Sequence, residues 1–194
     1  DSIIPDPNLR ESLGIKPDDF VIICVANLHI NKGHRYLLEA FETLYQKYPE
    51  THLLIVGDGK ERDNLKNQIE EYQSKNNITF LGRRTDVPEL LKISDCFVLP
   101  TLFEGQSNAI MEAMASGLPI ITTDIPENQA LIDDKHSGIL VPIKSSDELV
   151  HALQLVLSSK TYRESLGTTG KSFLGKKFTL IKTTADLSFY LSKL

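Results

Sequence analysis

Hydrophobic positions along the chain follow two rhythms. Six short runs, at 20–26, 52–57, 78–82, 96–100, 119–123 and 138–141, are rich in β-branched residues and close on glycine, proline or a polar turn. Most lack the alternation of a strand with one wet face, so they read as strands covered on both sides. Between them, apolar residues recur at helical spacing. Over 34–48, Leu37, Phe41, Leu44 and Tyr48 share one face at i, i+4, i+7 and i+11. Residues 60–75 are charged and amphipathic, with Leu65 and Ile69 turned inward, and helical patterns continue over 86–93 and 107–116. The strand signals stop after residue 142, and helices are predicted at 146–158, 161–175 and 180–193.

Strand and helix alternating in this way predict right-handed βαβ units and an α/β fold, a doubly wound, Rossmann-like parallel sheet with a helical C-terminal tail. No repeat, low-complexity tract or internal linker interrupts the pattern. One domain over 1–194 is expected, with its core at 13–178 and a terminal helix at 179–194. In such sheets ligands bind beyond the carboxyl ends of the strands, where the winding reverses. The loops at 27–33, 57–60, 82–86, 100–107 and 123–128 are therefore the places to seek chemistry.

Composition narrows the class. With 41% hydrophobic and 24% charged residues, the 194-residue chain has material for a sizeable core. A formal net charge of −5 argues against a nucleic-acid binder held by general backbone attraction, and leaves room for a local basic pocket. Cys24 and Cys96 sit inside apolar runs and read as small buried hydrophobes of a reducing compartment, so a cytoplasmic location is expected. No apolar run reaches the length of a membrane span, and no charged segment followed by an apolar one marks a leader. The chain opens on Asp1 with no initiator methionine, which reads as a segment of a longer protein or a processed one.

Four loops carry candidate chemistry. Lys32-Gly33 opens a helix, where Gly33 and the following amides suit an anion with Lys32 as a mobile charge, or Lys32 is simply solvated. Gly57-Asp58-Gly59 lacks the third glycine of a dinucleotide fingerprint and the Lys-Ser/Thr of a P-loop. It is either a tight turn or a backbone that a ligand approaches. Gly82-Arg83-Arg84-Thr85-Asp86 puts two arginines on the ligand side, contacting a ligand or only solvating the loop, with Asp86 placed to cap the next helix.

The densest signal is Glu104-Gly105-Gln106-Ser107-Asn108-Ala109-Ile110-Met111-Glu112. Gly105 permits close backbone approach, and Ser107 or Asn108 caps the helix that follows. Exposed amides near 107–109, with the helix dipole behind them, make an anion site. Asn108 and Glu112 share a helix face, Glu104 faces the same crevice, and an ionised carboxylate accepts hydrogen bonds from vicinal hydroxyls. The plainer alternatives are a first-turn acid favoured by the dipole for Glu112 and an exposed loop acid for Glu104. His29, His34, His52, His136 and His151 are scattered singly and are expected at the surface or in packing, since no metal-ligand spacing is present. Ser107 is not set in a Gly-x-Ser-x-Gly elbow, which leaves a hydrolase triad unsupported.

These residues resemble the retaining glycosyltransferases of the two-domain GT-B architecture, the group 1 family that includes glycogen and sucrose synthases. The likeness runs over residues 13 to 191 and corresponds to the C-terminal, donor-binding domain. Its most specific element is a glutamate, seven residues, a second glutamate, a helix and Gly-x-Pro, here Glu104 to Glu112 and on to Gly117-Leu118-Pro119. Lys32-Gly33, Val56-Gly57-Asp58-Gly59, Phe80-Leu81-Gly82-Arg83, Ser94-Asp95 and Gly138-Ile139-Leu140-Val141-Pro142 support it.

The resemblance implies that Lys32 and Glu104 are the catalytic pair. Lys32 would neutralise the donor diphosphate, and Glu104 would meet the hydroxyls of the transferred sugar with Gly105, Gln106 and Ser107 beside it. It also implies amides of Asn108 and Ala109 on phosphate, Glu112 on the ribose, backbone near Arg83 at the base edge, and Asn27, Gly33 and Gly57 among the donor contacts. The donor implied is a UDP- or GDP-sugar, with no metal and no cofactor. The partners implied are that nucleotide-sugar and the protein's own N-terminal acceptor-binding domain, with peripheral membrane contact through the full-length protein and no nucleic acid.

Two departures bear on activity. The family commonly carries an arginine five residues before the lysine, and this chain has Asn27 there. Loss of that charge-assisted contact would weaken binding by about 1.5–3 kcal/mol. His29, Arg35, Arg83 or Arg84 would have to offset it, unless the donor binds differently or activity is reduced. The acceptor domain, with its usual histidine, lies outside the chain, and helix 180–193 resembles the segment that crosses back to it. The isolated chain is thus expected to bind donor weakly and to transfer nothing. A non-catalytic nucleotide- or sugar-phosphate-binding module is the second reading. An unrelated doubly wound domain is the third, without a three-glycine fingerprint or an acidic cluster after the first strand to support it.

Overall fold

The computed structural model describes residues 6–191 apart from Gln106, with side chains up to Lys176. Six strands form, β1 Phe20–Val25, β2 Thr51–Val56, β3 Ile78–Gly82, β4 Cys96–Leu99, β5 Ile120–Thr123 and β6 Ile139–Val141. All pair in parallel, in the order β3-β2-β1-β4-β5-β6, with Phe20 opposite Thr51, Ile22 opposite Cys96 and Phe97 opposite Ile120. The winding therefore reverses between β1 and β4, as expected of a doubly wound sheet.

The strands form where they do because both of their faces are covered. Every residue of β2, β4 and β5 is buried, as are the first five of β1, and a strand with no wet face gains from apolar residues throughout. The helices are α1 Leu9–Ser12, α2 His34–Tyr45, α3 Arg62–Gln68, α4 Val87–Lys92, α5 Asn108–Ser116, α6 Pro126–Gln129, α7 Ser146–Ser158 and α8 Lys160–Leu191. Short 3-10 turns occupy Ile30–Lys32 and Gln73–Asn77. In α2 the residues Leu37, Leu38, Ala40, Phe41 and Leu44 are buried, and the helix packs against α7. Helix α5 packs against α8.

The four-residue helices α1 and α6 were not predicted, and two predicted helical stretches form differently. The stretch 60–75 is not one helix: α3 stops at Gln68, with Leu65 and Ile69 buried, and a 3-10 turn follows from Gln73. The break is held from a distance, because the Glu42 carboxylate accepts hydrogen bonds from the amides of Gln73 and Ser74 and from Ser74 Oγ. Those amides are the orphan donors of a new helical start. At the other end, the predicted helices 161–175 and 180–193 are one, α8, running through Leu191. Gly175 ends the first, and neither a single glycine, which costs about 1 kcal/mol, nor Lys176-Lys177-Phe178-Thr179 after it breaks a helix. The positions after Leu191 in the predicted terminal helix lie outside the described residues.

Candidate functional site

A cleft of about 470 Å³ opens at the carboxyl ends of β1, β2 and β4, at the reversal of winding. It gathers Asn27, Lys32, Gly57, Arg83, Glu104 and Ser107 from four loops, and Asn108, Ala109 and Glu112 from α5. Gly33 and Gly105 are not on its wall, and Gln106 lies outside the described residues.

The glycines explain how the loops close on one another. Gly33 is buried, takes φ 68°, and ends the 3-10 turn that carries Lys32. A Cβ there would lie 2.0 Å from the Pro100 carbonyl oxygen. Gly33 is thus a contact between the β1 and β4 loops that sets Lys32 in place, rather than part of the cleft surface. Gly57, at φ 132°, faces the Ala26 carbonyl oxygen, 1.9 Å from where its Cβ would be. Of the two readings of the Gly57–Gly59 turn, close packing of neighbouring loops accounts for both glycines, since Gly59 meets the Leu28 carbonyl in the same way.

Lys32 Nζ and Glu104 Oε1 form an ion pair at 2.5 Å, with side chains 18% and 9% exposed. Glu104 is therefore a largely buried acid with a partner, not a solvated loop residue. Ser107 caps α5, its hydroxyl accepting from the Ile110 amide at 3.5 Å. The first turn of α5 holds no acid, so Glu112, five residues into the helix, is not there to complement the dipole. It is exposed and shares the cleft wall with Asn108 one turn earlier.

On the opposite wall, Arg83 is exposed to the cleft, whereas Arg84 is committed. Its Nε donates to Asp86 Oδ1 at 2.8 Å and its Nη2 to Oδ2 at 2.5 Å. That fork holds the Asp86 carboxyl below the usual carboxylate range and raises the guanidinium. It also corrects the capping role predicted for Asp86, which stands at the N-cap of α4 without a side-chain cap bond. Of the four residues that could offset Asn27, two are elsewhere. His29 and Arg35 line a separate cavity of about 20 Å³, and Arg35 pairs with Glu39 at 3.7 Å. Arg83 remains.

Several wall residues carried no signal of their own in the sequence. Val25, Ala26, Val56, Val87 and Leu99 give the cleft an apolar side. All but Val87 end or follow a strand, so the rule that ligands meet strand ends would have found them. Thr101, fully buried and hydrogen-bonded to the residues just before Lys32 and Glu104, also carried no signal of its own.

The remaining titratable groups sit in packing or at the surface. His52 Nε2 lies 2.9 Å from Asp19 Oδ2 at the amino ends of β2 and β1, away from the cleft, and His29, His136 and His151 are exposed. His34 is 2% exposed and neither ring nitrogen finds a partner in the protein. Burial, with the Lys32 charge adding to it, pushes its imidazole down to about 4. Cys24 and Cys96 are both free and fully buried, and burial pushes the Cys24 thiol up to about 12. Among the described residues, no group of three or more His, Cys, Asp and Glu side chains could hold a metal ion. No helix among them is long and apolar enough to cross a membrane.

The family model for glycosyl transferases group 1 matches residues 5–173. The chain belongs to the group 1 glycosyl transferases. Among curated members, a UDP-Gal:alpha-D-GlcNAc-diphosphoundecaprenol alpha-1,3-galactosyltransferase of Escherichia coli is 36% identical over 157 residues, 79% of this chain and 41% of that protein. The chain thus spans less than half of this group 1 relative. Two solved structures share the fold. The Anabaena protein HepE, solved in complex with UDP and glucose, superposes with a TM-score of 0.86 at 24% identity, over 96% of this chain and 52% of that one. The C-terminal domain of the group 1 protein LpcC from Francisella tularensis superposes with a TM-score of 0.78 at 23% identity, over 90% of this chain and 94% of that domain.

Proposed function

We propose that this chain is the donor-binding half of a retaining glycosyltransferase, and that its cleft takes a nucleoside diphosphate sugar. The observation that carries the reading is the convergence of Lys32, Glu104, Glu112 and the amino end of α5 on one cleft. In this reading the diphosphate lies at the first amides of α5, Asn108 and Ala109, where dipole and unpaired N–H groups favour an anion. Lys32 has three N–H donors, so it keeps Glu104 with one and offers the others to the diphosphate. Glu104 turns its second oxygen to the sugar hydroxyls, and Glu112 accepts from the ribose. Arg83 and the apolar side of Val25, Val56 and Leu99 flank the base.

The reaction is then positioning plus electrostatics. As the sugar C1 exchanges its bond to the diphosphate oxygen for one to an acceptor hydroxyl oxygen, with retained configuration and the hydroxyl proton passing to the departing diphosphate, Lys32 and the α5 amides meet the charge of that leaving nucleoside diphosphate. No metal or cofactor has a step in this scheme. The acceptor, a glycan or lipid, would be held by an N-terminal domain of the full-length protein, which we place in the cytoplasm with peripheral membrane contact. A uridine nucleotide is favoured by the UDP in the name of the Escherichia coli relative and by the UDP bound to HepE, and a guanosine nucleotide is the alternative.

A thermal-shift screen of UDP-, GDP- and ADP-sugars against the 194-residue chain tests the reading, because a ligand of the folded state raises its melting temperature. A rise with one nucleotide class is expected, with no sugar transfer by the chain alone. No rise with any of the three ends the donor-site reading. Turnover by the chain alone ends the half-site reading. The second reading, a non-catalytic module, draws on Asn27, an uncharged residue on the cleft wall where the family commonly has arginine. A large gain of transfer on Asn27→Arg in an inactive full-length protein would favour it.

A further inference from the structure

We propose that Thr101 is the positioning residue that sets Lys32 against Glu104. These two side chains come from loops 72 residues apart, and both ride on short irregular segments. The residues immediately before them are Asn31 and Phe103. Their carbonyl oxygens both lie 3.0 Å from a single hydroxyl, Thr101 Oγ1. One hydroxyl proton is shared between two carbonyls, which fixes the backbone just upstream of each member of the pair relative to the other. The Leu102 amide reinforces the first contact, donating to Asn31 O at 2.7 Å. The other link from Asn31 to Phe103, through Asn31 Nδ2, is long at 3.5 Å. Thr101 Oγ1 is thus the shorter of the two side-chain ties to the Phe103 carbonyl, beside the backbone bond from Leu102.

Thr101 is itself held from below. Thr123 Oγ1 donates to the Thr101 carbonyl at 2.5 Å, and Asn128 Nδ2 donates to Thr123 O at 2.9 Å and to Thr123 Oγ1 at 3.3 Å. Thr101, Thr123 and Asn128 are all buried, and in that low-dielectric setting a chain of hydrogen bonds is strengthened. The chain leads from α6, through the last residue of β5 and the loop after β4, to the loop after β1. The ends of β5 and β4 are thereby keyed to the loop that carries Lys32. A site held to a fraction of an ångström needs support of this kind from residues that never touch the ligand.

The pair is a property of the fold, and only its functional consequence rests on the donor-site reading. The experiment separates the two. A double-mutant cycle of Lys32→Met and Glu104→Gln is measured by urea unfolding of the 194-residue chain, in the parent and in Thr101→Ser, Thr101→Val and Thr101→Ala backgrounds. Coupling between Lys32 and Glu104 is expected in the parent and in the serine background, and is expected to be lost with valine or alanine. Equal coupling in all four, or none in the parent, overturns the proposal. Should the valine variant fail to fold, the smaller alanine decides. In parallel, UDP affinity is measured in the parent, where its absence counts against the donor site alone. Where UDP binds, Thr101→Val should weaken it by about threefold to tenfold, the worth of one hydrogen bond, and Thr101→Ser should restore it.

Discussion

Lys32 Nζ meets Glu104 Oε1 across 72 residues of sequence, with both side chains largely withdrawn from water. Removing one partner leaves the other's charge poorly solvated, which is costlier than removing both. Lys32→Met should therefore destabilise the chain by on the order of 1–3 kcal/mol, between an exposed and a fully buried pair. Adding Glu104→Gln should recover most of that loss in urea melts. The same lysine variant should weaken UDP by about tenfold to a hundredfold in calorimetry, because a charge-assisted contact to phosphate is lost. Glu104→Gln alone should weaken the UDP-sugar more than UDP. Wild-type UDP affinity in Lys32→Met would remove the lysine from the diphosphate.

Asn27 stands on the wall of the same cleft, following β1, and is exposed. Arg84 across the cleft is held by Asp86, so it is poorly placed to supply the missing charge. Asn27→Arg should therefore tighten UDP by about tenfold or more, the range of a charged hydrogen bond. The gain should shrink with added salt, as a partly exposed contact is screened. Unchanged affinity at low salt would mean that the diphosphate does not lie within reach of position 27.

His34 sets a pH limit on stability. Its folded-state value of about 4 is below the ordinary 6.5, so the unfolded chain takes up the proton first as pH falls. Stability from this group is complete above about pH 6.5 and drains away between there and about pH 4, by on the order of 3 kcal/mol. His34→Leu should remove that slope. Urea midpoints of the parent and variant at pH 7, 5.5 and 4.5 should converge or cross as pH falls. The carboxylates paired in both proteins, Glu42 and Asp86 among them, cancel in the comparison. Parallel pH profiles would show that His34 gains its proton without loosening the fold.

How much of this was legible depends on the range of the forces involved. The strands could be read because burial on both faces imposes a local signature, and Phe20–Val25 or Thr51–Val56 carries it without help from elsewhere. That Lys32, Glu104 and Glu112 border one cleft was legible through spacing and the resemblance it supports. The end of α3 was not, because it depends on Glu42, 31 residues before Gln73. Asp86 fits a helix cap by position, and only its geometry to Arg84 shows the carboxylate taken. Thr101 was hidden for a similar reason. A threonine after a strand reads as a turn residue until the Asn31 carbonyl, 70 residues away, is seen to join that of Phe103 on its hydroxyl.

Gly167 offers a test of how α8 holds the cleft from behind. It faces Gly117, the left-handed residue that closes α5, the helix bearing Asn108, Ala109 and Glu112. A Cβ at 167 would stand 2.0 Å from the Gly117 carbonyl oxygen, a backbone atom that cannot rotate away. In an exposed helix, glycine to alanine stabilises by about 1 kcal/mol. Here that gain should be outweighed, since overpacking against backbone costs about 1–3 kcal/mol and more where nothing yields. At Gly175, on the same helix, a Cβ would meet nothing within 4 Å. Gly167→Ala should therefore lower the urea midpoint, and Gly175→Ala should raise it slightly. Because the collision pushes on the carboxyl end of α5, Gly167→Ala should also weaken UDP, whereas Gly175→Ala should not. If both alanines stabilise alike, α8 is free to shift on α5, and the amino end of α5 owes its place to the Ser107 cap and the cleft loops alone.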